Sequence, residues 1–191
     1  ALARTIRETT GSEIRSVILG DDNQDAAERF YAACAVPVTA VSDAGLRDYN
    51  AELYTMVLKA LLTGMQPAYV CVSHSSQGAV YARGIAFQRS AACVSGVEGV
   101  HAGEVGLRFY RSLYGGKIRA QIKPVAATTV LTLQPGSFKP DAAEEEAEAC
   151  VQPFDITVPE PSFGRLVLKT VPSEGVDLSE AKVLVAAGRG I

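Results

Sequence analysis

Two histidines in 191 residues, and four cysteines with no C-x-x-C spacing, leave little from which to build a metal site. A structural zinc ion takes about four nitrogen or sulfur donors, so no metal is expected. Cys34, Cys71, Cys93 and Cys150 have mostly Ala and Val neighbours and read as small buried hydrophobes in a reducing compartment. Excess positive charge is missing as well. The formal net charge of −3 argues against nonspecific binding to nucleic acid or to an anionic membrane, both of which need a basic face. No apolar run approaches the ~20 residues of a membrane helix, so no membrane insertion is expected. The first residues lack the apolar stretch of a signal peptide. Neither a GxGxxG nor a GxxxxGK[ST] loop occurs, so the chain shows no direct nucleotide fingerprint.

What remains is 48% hydrophobic, enough core for one good-sized domain. Residues 13–20 (EIRSVILG) read as a strand ending in a turn and a helix cap. Ala27, Phe30, Ala33 and Cys34 then follow at helical spacing. A short strand at 37–41 precedes a second helix, capped near Asn50, with Leu53, Val57, Ala60 and Leu61 on one face. Residues 68–73 (AYVCVS) read as a strand buried on both sides. It empties into the polar loop 74–78, which opens a third helix with a Val80, Gly84, Phe87 stripe. Another strand at 91–97 follows. Strands alternating with helices imply right-handed βαβ crossovers and a parallel sheet.

The period then changes. Val105, Leu107, Phe109 and Leu113 alternate with polar neighbours, Gly115-Gly116 supplies a turn, and 117–123 alternates again. This predicts an antiparallel hairpin beside the parallel sheet, followed by a strand at 128–133. The acidic run 141–148 reads as a solvated loop or exposed turn. Strands are also expected at 164–171 and 182–187. One strand is wanting: a doubly wound sheet usually opens on a central strand, whereas residues 1–8 read as a helix already under way. With no methionine at the start, the expectation is that this strand lies ahead of Ala1.

Three groups of residues could carry chemistry. Ser73, His74, Ser75 and Ser76 lie at a strand end, where ligands of parallel sheets usually bind. A nucleophile–base pair there needs an orienting third group and an oxyanion hole, and loop polars that cap the next helix are the simpler reading. Arg83, Arg89, Arg108, Arg111 and Arg119 suit surface ion pairs or a protein interface. Arg189 follows an apolar run between Gly188 and Gly190, where a guanidinium fork can meet a pyrophosphate. No residue is assigned a catalytic role.

Four stretches together resemble the N-terminal domain of the electron transfer flavoprotein alpha-subunit family. They are 72–97 with its Arg83-Gly84-Ile85-Ala86 segment, the hairpin 111–120 (RSLYGGKIRA), the turn 130–139 (VLTLQPGSFK) and 177–191 (DLSEAKVLVAAGRGI). Gly84, Phe87 and Gln134 stand where that family usually has Asp, Pro and Arg. The resemblance covers essentially all of residues 1–191. It implies a three-layer α/β fold with a mostly parallel sheet, like the adenine nucleotide alpha hydrolases, and an antiparallel hairpin extension. It also implies an electron carrier rather than a catalyst, with FAD held mainly by a further C-terminal domain and contacted by Arg189 and Gly190. The implied partners are a beta subunit, with AMP possible in that subunit, and acyl-CoA-type dehydrogenases as donors. The implied location is the bacterial or archaeal cytoplasm or the mitochondrial matrix. A flavin-free nucleotide-binding or interaction module is the alternative, and a hydrolase using Ser73, His74 or Ser75 a more distant one.

Overall fold

A computed structural model describes residues 1–103, 106–139, 150–162 and 181–187. Its residues 1–161 and 162–191 are two units, described separately. In the first, α1 (Leu2–Thr10) buries Leu2 and Ile6 and stops at Gly11, whose φ of 69° is the left-handed conformation that ends helices. β1 (Ser16–Gly20) leads to α2 (Gln24–Cys34) and β2 (Val38–Ser42). After a short 3₁₀ turn, α3 (Ala51–Met65) begins where Asn50 Oδ1 accepts the Glu52 and Leu53 N–H groups. β3 (Tyr69–Ser73), α4 (Ser76–Gln88), β4 (Ala92–Val97), β5 (Gly99–Gly103), β6 (Gly106–Leu113), β7 (Ile118–Ile122), β8 (Thr129–Leu133) and β9 (Val151–Pro153) complete it.

The fold is α/β with parallel strands and an antiparallel sheet, as the alternating pattern predicted, but the one parallel sheet expected is described as two. The orders are β1-β2-β9, β3-β8-β4 and β5-β6-β7. β8 is made last in its sheet yet lies between β3 and β4, parallel to both, and its first four residues are buried. α3 and α4 pack on each other and, with Val41 and Val130, form one core. α1 covers a second core around Phe109, Val97 and Leu131, and α2 a third with Val38 and Ala40. α1 and α2 are linked by Arg4 Nη2 donating to the Cys34 carbonyl at 3.4 Å.

Several finer expectations are corrected. The buried face of α4 is Gly78, Ala82, Ile85 and Ala86, not the Val80–Gly84–Phe87 stripe, and Phe87 is 88% exposed. Small residues face inward because α4 presses directly on β3 and α3: a Cβ on Gly84 would meet Thr55 of α3 at 3.0 Å. On α3 it is Leu58 and Leu62, rather than Ala60, that join Leu53, Val57 and Leu61 inside. Phe30 of α2 is 40% exposed. Cys71 and Cys93 are exposed and Cys34 and Cys150 half-buried, so they are not core thiols. The reason at Cys71 is that β3 borders an open cleft.

In the second unit, residues 181–187 are exposed and carry a bend but no strand. Apolar composition makes a strand only where a neighbour takes its backbone groups, and this run forms no ladder. The expected strand at 164–171 and the acidic run at 141–148 lie outside the described residues, as does Val105.

Candidate functional site

The parallel register brings the ends of β3, β8 and β4 to one place, pairing Ser73 with Leu133 and Leu133 with Val97. Two bonds carry the sheet one step further: His74 N–H to the Leu133 carbonyl at 2.7 Å and Gln134 N–H to the Val97 carbonyl at 2.9 Å. β4 is irregular just before this point, with Gly96 at φ 65°. That bulge turns the Gly96 N–H onto Thr132 Oγ1 at 2.9 Å, and the same hydroxyl meets His74 Nδ1 at 2.7 Å. Thr132 is 1% exposed. Its oxygen accepts from Gly96, and His74 Nε2 lies on the far side of the ring, beside Gly96 and Gln134.

The serines do something else. Ser75 Oγ accepts the Gly78 N–H at 3.0 Å and caps α4. A Cβ at Gly78 would lie well inside 3 Å of the Ser73 carbonyl oxygen, so only glycine lets the helix start so close to the strand. None of Ser73, Ser75 and Ser76 is hydrogen-bonded to His74, and no nucleophile–base pair forms among the described residues. The helix-capping reading therefore holds, and His74 is an anchor that pins the strand ends to the β4 bulge. Tyr49, Tyr54 and Tyr81 pack edge-on or tilted, with ring centroids 5.1–6.4 Å apart. Burial pushes all three phenols above their usual value, with neighbouring rings adding to the effect at Tyr49 and Tyr81. They stay neutral and act as packing. Among the described residues no group of three or more His, Cys, Asp or Glu could hold a metal ion.

The antiparallel sheet offers a different kind of surface. β6 buries Leu107 and Phe109 and turns Arg108, Tyr110 and Ser112 the other way. Pairing sets His101 against Arg108, Gln121 against Tyr110 and Arg119 against Ser112. Arg119 lies over the Tyr110 ring at 4.6 Å, and Gln121 Nε2 donates to the Tyr110 hydroxyl at 2.8 Å. Glu98 takes both the N–H and the hydroxyl of Ser112, at 3.2 and 2.7 Å. This outward face is a pre-ordered ladder of Arg, Tyr and Gln rather than an apolar one. That composition is typical of protein interfaces, because such side chains lose little freedom on binding. Of the arginines noted in the sequence, the structure brings Arg108 and Arg119 onto this face. Arg111 instead donates to Ser95 Oγ at 2.8 Å. β5, which supplies His101, has no hydrophobic alternation and was not expected. Arg189 and Gly190 lie outside the described residues.

The strand-end groups bond to one another, and a cleft of about 870 Å³ is bounded by strands and mostly apolar side chains.

Comparison with known proteins adds what geometry alone does not. Residues 1–159 match the family model described as the electron transfer flavoprotein domain. The chain is 25% identical to the electron transfer flavoprotein subunit alpha of Bacillus subtilis, over all of this chain and 58% of that one. It is 25% identical to the subunit alpha of Megasphaera elsdenii, over 99% of this chain and 57% of that one. The putative electron transfer flavoprotein subunit YdiR of Escherichia coli matches at 25%, over 95% of this chain and 57% of its own. The chain thus spans under two thirds of the length of the curated relatives it matches.

Proposed function

The chain belongs to the electron transfer flavoprotein family, and from that premise we propose that it is the N-terminal α/β scaffold of an alpha-type subunit. Its task is to present a rigid base on which a flavin-bearing partner region carries electrons from dehydrogenases to an acceptor. The observation that supports this most is the family match over residues 1–159, the same span that folds into the layered unit ending at Pro161.

On this reading FAD is held outside the described residues, where the flavin supplies the redox chemistry and protein groups bind and orient it. Arg189 and Gly190 are the residues of this chain proposed to meet its pyrophosphate. The Arg–Tyr–Gln face of the antiparallel sheet is the surface offered to a beta subunit, in which AMP is a possible ligand. Acyl-CoA-type dehydrogenases are the proposed donors. No helix among the described residues is long and apolar enough to cross a membrane, and bacterial relatives favour a cytoplasmic place of work.

The test is co-expression with a beta-type subunit, followed by gel filtration and absorbance. The reading expects a one-to-one complex that the double substitution Tyr110→Ala, Arg119→Ala weakens. It also expects flavin absorbance only when sequence beyond Ile191 is supplied. Tight flavin binding by residues 1–161 alone would overturn it, as would failure of any beta-type subunit to associate. A flavin-free nucleotide module is not favoured, since the described strand ends spend their polar groups on each other.

A further inference from the structure

Strand alternation sets one side of the β5-β6-β7 sheet against the core and turns the other outward, and the outward side is rich in cations. Arg108 and Arg119 lie on it, and Lys117 and Lys123, both exposed, border β7 at its two ends. Alternate residues of a strand are about 7 Å apart, inside the screening length of about 8 Å at physiological salt, so charges spaced in this way repel one another. Among the described residues from 98 to 123 there is one carboxylate, Glu98, and both its oxygens are taken by Ser112. Like charges gathered on one sheet face destabilise it. The fold itself gives no reason for this row, least of all in a chain of net charge −3.

Arg119 is held in place on this face. Its guanidinium lies 4.6 Å from the centroid of the Tyr110 ring, and the Tyr110 hydroxyl is itself fixed by Gln121. Towards β5 the seat is Gly99, where a Cβ would come to 3.4 Å from Arg119 Nη2 and 3.8 Å from Tyr110 Cδ2. A side chain of β7 thus reaches over β6 to β5, and glycine leaves it the room. Stacking uses the flat face of the guanidinium and none of its five N–H groups. None of those groups donates to an acceptor among the described residues. A guanidinium with its plane fixed and its edge unspent matches the two oxygens of a carboxylate. Nucleic acid fits less well, because a stacking base needs an open aromatic face and Arg119 covers that of Tyr110.

We propose that Arg119, seated on Tyr110 and Gly99, anchors a carboxylate on an acidic surface of a beta-type partner, with Arg108, Lys117 and Lys123 as the rim that steers it in. This rests on the reading that the antiparallel sheet meets a beta subunit, and adds the chemistry that the partner must bring. Arginine and tyrosine at the centre of a patch carry most of the affinity of many interfaces. Here they are ordered before the partner arrives, so little freedom is lost on binding. Rim charges act differently, chiefly on how fast the partners meet.

Surface plasmon resonance between the chain and a beta-type subunit separates these roles. Association should slow about tenfold or more between about 0.05 and 0.5 M salt. Arg119→Lys keeps the charge and removes the fork, so dissociation should quicken about tenfold while association hardly changes. Gly99→Val fills the seat with a residue that strands favour and should quicken dissociation to a similar degree with Arg119 still present. Lys117→Gln combined with Lys123→Gln should instead slow association several-fold and flatten its fall with salt. An association rate indifferent to salt, or an Arg119→Lys chain that dissociates no faster than its parent, overturns this inference and leaves the scaffold reading standing. A parent chain that binds no beta-type subunit overturns both. A single-stranded oligonucleotide that binds the parent chain, displaces the subunit and is itself weakened by Arg119→Lys would also overturn the inference, in favour of a nucleic-acid face.

Discussion

Among the described glycines the tightest site is the start of α4 against the end of β3, and Gly78→Ala probes it. In an ordinary helix this change gains about 0.8–1 kcal/mol, because alanine is the better helix former. Here the new methyl falls well inside 3 Å of the Ser73 carbonyl oxygen and at 3.1 Å from Val72 Cγ1. The oxygen belongs to backbone already fixed by the β3–β8 ladder, so the helix must yield. Overpacking of this kind costs about 1–3 kcal/mol, and backing the helix away also strains the Ser75 cap, worth about 1 kcal/mol. The net expectation is a loss of about 2 kcal/mol, a melting temperature lower by about 4–8 °C in a domain of this size. Gly64→Ala, in α3, is the matched control, since nothing lies within 4 Å of its Cβ position. It should raise the melting temperature by about 2–4 °C. Thermal unfolding followed by circular dichroism on the two variants decides the matter. A Gly78→Ala protein as stable as its parent, or a Gly64→Ala protein that loses as much, would refute the close-approach argument.

Thr132→Val keeps the shape but strips the hydroxyl from Gly96 N–H and His74 Nδ1. A lost partner for this half-buried N–H should cost about 1 kcal/mol, the low end for an unsatisfied group, measurable by urea unfolding, with His74→Ala expected to cost less. Asn50→Ala removes the acceptor of two N–H groups at the start of α3 and should cost about 0.5–2 kcal/mol in the same assay. The Cys71 thiol, though reached by solvent through the cleft, is pushed by burial from 9.0 to about 12. Its alkylation should therefore still be rising beyond pH 9, where an ordinary thiol levels off. The protonated form is the one the fold favours, so this contribution to stability is complete below the unfolded thiol's pKa and is lost as pH climbs towards 12. A Cys71 alkylation profile with its midpoint near 8.5, the value of a free thiol, would contradict it.

The strongest local signals in the sequence translated well. Asn50 before an apolar helix, Gly115-Gly116 between two alternating runs, and the apolar stretches at β1, β2, β3 and β8 each produced the expected element. What failed was phase and cover. The α4 stripe was misplaced because its large apolar residues were assumed to face inward, whereas close contacts to β3 at Gly78 and to Thr55 at Gly84 leave no room there, Ile85 fills the core, and Phe87 stays outside. β5 and β9 gave no signal: one is GVHAG and pairs with its neighbour β6, the other is three residues long and pairs with the distant β2. At the strand ends, Ser75, His74 and Gly78 stood out in sequence, but Thr132 and Gly96, which give His74 its partner, did not. Their contact spans 36 residues and depends on a bulge.

β8 lies between β3 and β4 although the whole antiparallel sheet is made before it. As the chain emerges from a ribosome, neither β3 nor β4 has its sheet partner until residue 133 is out. Throughout that interval both expose unpaired apolar edges, which are templates for wrong pairing with other chains. A polypeptide halted after β7 therefore has no way to close this sheet, and the late arrival of one short strand is what commits the first unit to its fold.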